Sequence, residues 1–311
     1  MTAMSQARTE RHDSYPTRLP EERWLPREDR IVWNQWQPDA PLSEQQIAQF
    51  ERDGFLVIEN CFSRQEIAAL KAESAALRSG QRELLEGSVI TEPDADDAIR
   101  TIFALPEQSA LFERLARDQR LAGIASFLLG DAVYIHQSRL NYKPGFRGKE
   151  FYWHSDFETW HAEDGMPRMR AVSASLLLHD NDLSNGPLML IPGSHRHYIA
   201  CAGETPEAHH LSSLKKQEVG VPSPAALTRL AAERGIHTAT GKAGTLIFFD
   251  CNTMHGSNGN ITPFARSNVF LVFNAVSNRL EAPFAARKPR PRFLAERNAV
   301  APLQIASGPI V

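Results

Sequence analysis

Two kinds of hydrophobic spacing divide this chain, helical in its first part and strand-like in its second. Ser43-Glu-Gln-Gln46 has the form of a capping box, in which a serine caps the first turn and a glutamine three residues on reaches back. It opens a helix running to about Arg52, with Leu42 placed as a hydrophobic staple and Asp53-Gly54 closing it. Phe55-Leu-Val-Ile58 then reads as a strand. A second helix starts at Ser63, with Glu66 three residues on, and runs to about Ser79 on a stripe of Ile67, Leu70, Ala75 and Leu77. Residues 83–97 are acidic and irregular, which predicts a loop. Helical spacing returns over 109–115 and 118–129, ending on Gly130 as the C-terminal cap.

Beyond Gly130 the texture changes. Residues 133–142, 171–179, 188–191, 245–249 and 268–276 form short β-branched or aromatic runs bounded by Gly, Pro, Asn and Asp. Helices followed by strands predict a mainly β fold with flanking helices, a sandwich or jelly roll, and argue against alternating βαβ units. Residues 1–40 show no period and read as an extended arm ahead of a single domain over 41–311. Trp24, Trp33 and Trp36 predict that the arm packs on the body or on a partner subunit, which points to a homodimer.

Composition narrows the function. A net charge of −3 over 311 residues lacks the basic surface that nucleic-acid binding requires. The apolar runs are strand-sized, far too short to span a bilayer, and the polar start (Arg8, Glu10, Arg11) lacks a signal-peptide core. Three widely spaced cysteines, Cys61, Cys201 and Cys251, imply neither a disulfide framework nor a zinc knuckle. The expectation is a soluble protein of the reducing cytoplasm.

The chemistry concentrates in Phe151-Tyr-Trp-His-Ser-Asp-Phe-Glu-Thr-Trp-His161. On an extended strand His154 and Asp156 would share a face, because side chains alternate with period two. His-x-Asp alone recurs by chance among 11 histidines, but Trp153, Phe157 and Trp160 surround this pair with aromatic bulk suited to a dry pocket. His255, just after the run Thr245-Leu-Ile-Phe-Phe249, could complete a two-His, one-carboxylate set. That set suits iron(II) with positions open for a chelating cosubstrate and dioxygen, though zinc accepts the same ligands. Arg266, ahead of the last apolar run, could supply a bidentate partner for a carboxylate. Alternation also places Gln137, Arg139, Asn141 and Lys143 on one face of their strand. His161, His179, His195, His197, His209 and His210 read as surface or loop histidines, and Cys251 as a small buried residue.

The segment from Phe151 to Ala171 resembles the signature of the ectoine hydroxylases, in the phytanoyl-CoA-dioxygenase-like branch of the iron(II)- and 2-oxoglutarate-dependent dioxygenases. The stretch Phe50 to Phe62 and the turn Gly186-Pro-Leu-Met-Leu-Ile-Pro-Gly-Ser-His195 resemble the wider superfamily, so the likeness runs from about residue 15 to 290. It implies a double-stranded β-helix, the cupin-like jelly roll, and hydroxylation of the compatible solute ectoine to 5-hydroxyectoine, an osmotic-stress function that consumes O2 and 2-oxoglutarate and releases succinate and CO2. It also implies His154, Asp156 and His255 as iron ligands, and Lys143 with Arg266 as anchors for 2-oxoglutarate. Gln137, Trp160, Ser173, Phe249, Phe273 and Arg290 are implied around the substrate. A related dioxygenase acting on another amino acid or an acyl-CoA, and a cupin-like metal binder without redox chemistry, are the alternatives.

Overall fold

A computed structural model describes residues 12–80, 82–93 and 95–311. In chain order its strands are β1 (Arg23–Pro26), β2 (Phe55–Ile58), β3 (Val89–Glu92), β4 (Ala95–Phe103), β5 (Val133–Lys143), β6 (Phe151–His154) and β7 (Ala171–Leu177), then β8 (Leu188–Leu190), β9 (His197–Ala200), β10 (His237–Ala239), β11 (Leu246–Asp250), β12 (His255–Ser257) and β13 (Arg266–Ala275). Seven form an antiparallel sheet in the order β2-β11-β7-β13-β5-β4-β3, and four form a second sheet in the order β10-β8-β12-β6. Together they make the jelly-roll core, with the site between the sheets.

Helices cover the outer face of the larger sheet. α1 (Glu44–Asp53) and α2 (Arg64–Arg78) begin at the two predicted capping boxes, with Ser43 and Ser63 extended and each box closed in both directions. Gly130 caps the Ile124–Leu129 helix in the left-handed conformation. Ile47, Phe50, Ile67, Leu70, Phe112 and Leu128 pack from the helices onto Leu140, Leu176, Phe248 and Leu271 of the sheet. The opposite face carries Phe249, Phe270 and Leu177, which meet Leu188 and Leu190 of the smaller sheet. Phe248 and Phe249 are neighbours in sequence yet serve opposite cores, as the pleat requires. A phenylalanine buried this completely contributes roughly 1.5–3 kcal/mol. Because β7, β11 and β13 are buried along their whole length, they read as continuous runs and not as alternation.

Three expectations need correction. The acidic stretch 83–97 contains β3 and the start of β4, paired as a hairpin. Its charge misleads because Glu92 is buried against Arg100 at 2.8 Å. The arm packs on the body, one of the two outcomes its tryptophans predicted, but from residue 12 on it is built into the fold and does not merely precede it: β1 pairs with β9, Tyr15 is buried, and Arg27 grips Asp250 through bonds of 2.7 and 2.9 Å. Arg168 and Arg170 lie over the Trp33 ring, while Trp36 stays exposed. Arg8, Glu10 and Arg11 lie outside the described residues. Third, His161, His195 and His209 are buried, not at the surface. His161 spans Met166 O (2.8 Å) and Asp13 (2.9 Å), and His209 pairs with Glu163 at 2.7 Å. No helix among the described residues is long and apolar enough to cross a membrane.

Candidate active site

β6 and β12 pair so that His154 and His255 lie directly opposite each other, with ring centroids 4.3 Å apart. Asp156 reaches both: Oδ1 is 3.7 Å from His154 Nε2, and Oδ2 is 3.8 Å from His255 Nε2. Ligand atoms of the three residues all lie within 4.8 Å of one another. The predicted strand geometry is wrong in one respect. β6 ends at His154, and Asp156 is the first residue of the helix Asp156–Thr159. The chain turns there because Phe157 N–H donates to Cys251 O at 2.8 Å, tying the helix start to the end of β11. The carboxylate therefore swings beneath the two imidazoles and does not follow them along a strand.

These side chains fit a metal. His154 Nδ1 lies 2.6 Å from Tyr152 O, and His255 Nδ1 lies 2.9 Å from Thr253 O. A carbonyl can only accept, so each Nδ1 carries a proton, and Nε2 is the atom that each ring can offer to a metal beside Asp156. Burial pushes the Asp156 carboxyl up, but His255, His154 and Arg139 more than offset this and hold it far below the usual carboxylate range. His255 is pushed down to about 4 by burial first and by His154 second. A neutral His255 beside an ionised Asp156 is what metal ligation needs of those two groups. Three ligands on one side leave the opposite side open.

A cavity of about 730 Å³ adjoins the triad, and the predicted polar stripe Gln137, Arg139, Asn141 and Lys143 lines it. Lys143 and Arg266 face each other as directly paired residues of β5 and β13. Lys143 Nζ donates to Ser257 Oγ at 2.9 Å and to Asn258 O. Burial, then Arg266 and Arg100, push its amine down to about 6. Arg266 donates to Asn185 O and Gly186 O (3.2 and 3.0 Å), and burial pushes it down to about 10. Among the described residues neither side chain has a carboxylate partner, so a charged Lys143 beside Arg266 is disfavoured until an anion binds between them.

The substrate-side expectations divide. Gln137, Trp160 and Arg290 line the cavity. Ser173 and Phe249 sit behind the triad: Ser173 Oγ is 3.4 Å from Asp156 Oδ2, and the Phe249 ring is 4.9 Å from that of His255. Phe273 does not belong to the cavity and packs in the helix-side core. Phe273 follows the alternation of its own strand, on which Leu271 also faces the helices while Phe270 and Val272 face inward. The ladder's extra residue, His136, lies in β5 and changes the facing of that strand, between Val272↔Gln137 and Phe273↔Ile135. Arg139 was overlooked as a site residue, although the period-two stripe had already put it on the right face. It is a cation inside the cavity, bonded to Gln137 Oε1 at 2.6 Å, and its Nε has no partner.

A jelly roll that places two histidines and a carboxylate beside a buried pair of cations is the architecture of a mononuclear metal-dependent oxygenase. The chain belongs to the phytanoyl-CoA dioxygenase family, whose model matches residues 50–268. It is 58% identical over 300 residues to the ectoine dioxygenase of Sphingopyxis alaskensis, covering 96% of this chain and 98% of that one. The crystal structure of EctD from S. alaskensis with 2-oxoglutarate and 5-hydroxyectoine superposes with a TM-score of 0.88 at 53% identity, over 96% of this chain and all (100%) of the other. The form of the same enzyme with bound Fe gives 0.87 at 52% identity, with the same coverage of 96% and 100%.

Proposed function

We propose that this protein is an iron(II)- and 2-oxoglutarate-dependent dioxygenase that hydroxylates ectoine to 5-hydroxyectoine, converting O2 and 2-oxoglutarate to succinate and CO2. The observation that carries the reading is one cavity in which the His154, Asp156, His255 triad meets Lys143 and Arg266, neither of which has a carboxylate partner among the described residues. Near full-length likeness to ectoine dioxygenases supplies the substrate.

His154, His255 and Asp156 would hold the metal, through one atom each. Bound iron(II) supplies the oxygen activation that no side chain can. Ser173 and Phe249 keep the carboxylate and the His255 ring in place. Lys143 and Arg266 take the distal carboxylate of 2-oxoglutarate, which orients its keto-acid end towards the triad. Ectoine is a cyclic amidine cation bearing a carboxylate. The Trp160 indole offers a π face for the amidinium, and Gln137 and Arg290 offer hydrogen bonds for the carboxylate. We place the enzyme in the cytoplasm, in keeping with three free cysteines.

The test is succinate release by purified protein supplied with iron(II), ascorbate, 2-oxoglutarate and a panel of compatible solutes. Release is expected to depend on ectoine. Coupling to proline or an acyl-CoA, without coupling to ectoine, would leave the family and discard the substrate.

A further inference from the structure

The residue skipped in the β5–β13 ladder is His136: Val272 pairs with Gln137 and Phe273 with Ile135, leaving His136 as the bulged position. A bulge re-aims a side chain, and bulges concentrate beside active sites for that reason. Here it drives a fully buried imidazole in behind the substrate end of the cavity. The ring stands edge-on to the Trp160 indole, with centroids 5.1 Å apart and planes at 68°. Among the described residues neither ring nitrogen has a hydrogen-bond partner, and Nε2 lies 3.5 Å from Asp164 Oδ2. That same oxygen accepts from Arg290 Nη2 at 2.5 Å, while Oδ1 accepts from Arg290 Nε at 2.8 Å.

A buried imidazole with neither nitrogen hydrogen-bonded is costly, and an apolar residue would fill the space at lower cost. Its position supplies a reason for it. Trp160 and Arg290 both line the cavity, and His136 touches the indole of one and the counter-ion of the other. The C-terminal segment locks the same point: Glu296 N–H donates to His136 O (2.9 Å), Gln137 Nε2 donates to Leu294 O (2.7 Å), and Arg297 Nη2 donates to Asp164 O (2.9 Å). We infer that His136 is a positioning residue, which sets through Trp160 and through Asp164 the orientation of the Arg290 guanidinium and so governs capture of the zwitterionic substrate. The inference rests on the ectoine reading above.

His136→Phe keeps the ring against Trp160 and removes Nε2, His136→Gln restores a polar group of similar reach, and Asp164→Asn weakens the hold on Arg290. The expected result for His136→Phe is a rise of about tenfold or more in the ectoine KM, because Asp164 and with it the Arg290 guanidinium lose the polar neighbour that fixes them. The 2-oxoglutarate KM and bound iron stay unchanged, and kcat at saturating ectoine falls less than about threefold. His136→Gln regains part of the loss, and the double variant His136→Phe with Asp164→Asn is less than multiplicative. An ectoine KM that does not move in any of these folded variants overturns the inference, as does a parallel rise in the 2-oxoglutarate KM. A parent enzyme that ignores ectoine overturns the underlying reading, and the inference with it.

Discussion

Replacing Lys143 by Met removes a buried amine while keeping a side chain of similar length, and it should affect the ligand-free and ligand-bound states in opposite directions. Without cosubstrate the amine is pushed down from 10.5 to about 6. The unfolded chain therefore holds a proton between about pH 6 and 10.5 that the folded site does not, and stability rises with pH through that window. Each unit of depression represents about 1.4 kcal/mol. Near pH 7.5 the substitution should thus stabilise the ligand-free protein by about 1–4 kcal/mol, less whatever the bonds to Ser257 and Asn258 contribute. A melting temperature higher by a few degrees is expected, with the pH slope flattened. In the bound state, deleting one partner of a buried charge pair costs roughly 2–5 kcal/mol, about thirtyfold or more in 2-oxoglutarate affinity. Arg266 remains as a second anchor, which favours the lower end. Differential scanning calorimetry across pH and titration with 2-oxoglutarate read the two effects. A variant that melts lower at every pH and binds 2-oxoglutarate as the parent does would refute the reasoning.

His154→Ala and Asp156→Ala should each abolish stoichiometric iron, measured by elemental analysis of the purified variants, and reduce ectoine-dependent turnover at least about a thousandfold; retention of both iron and turnover would remove the residue from the ligand set. Binding of 2-oxoglutarate should take up close to one proton above about pH 7, because a carboxylate beside Lys143 restores its charge; calorimetry in buffers of different ionisation enthalpy would show no buffer dependence if the site were otherwise. Gly54→Ala should lower stability by about 1–3 kcal/mol, since Gly54 has φ +81° and an added Cβ would come within 2.3 Å of His195 Nδ1; a thermal melt unchanged from the parent would contradict this.

What the sequence made legible was local. The capping boxes at Ser43 and Ser63 and the strand Phe55–Ile58 depend on neighbours within a few residues, and they formed as predicted. The polar stripe from Gln137 to Lys143 was legible for the same reason, because a pleat is periodic until a bulge interrupts it. The misreadings all involve partners far along the chain. Glu92 looked solvent-exposed until Arg100 closed over it, and His161 looked incidental until Asp13 and Met166 enclosed it. Asp156 was assigned to a strand because period-two spacing does not reveal that Cys251 O begins a helix there. The site's chemistry was readable from residue types, whereas its facing was set by register.

One cavity couples two oxidations, of 2-oxoglutarate and of ectoine, and turnover under oxygen-18 gas with products resolved by mass spectrometry shows whether it does. Equal amounts of 5-hydroxyectoine and succinate are expected, each carrying one heavy oxygen. Succinate formed at the same rate without ectoine, or hydroxyectoine whose new oxygen comes only from water, would contradict it.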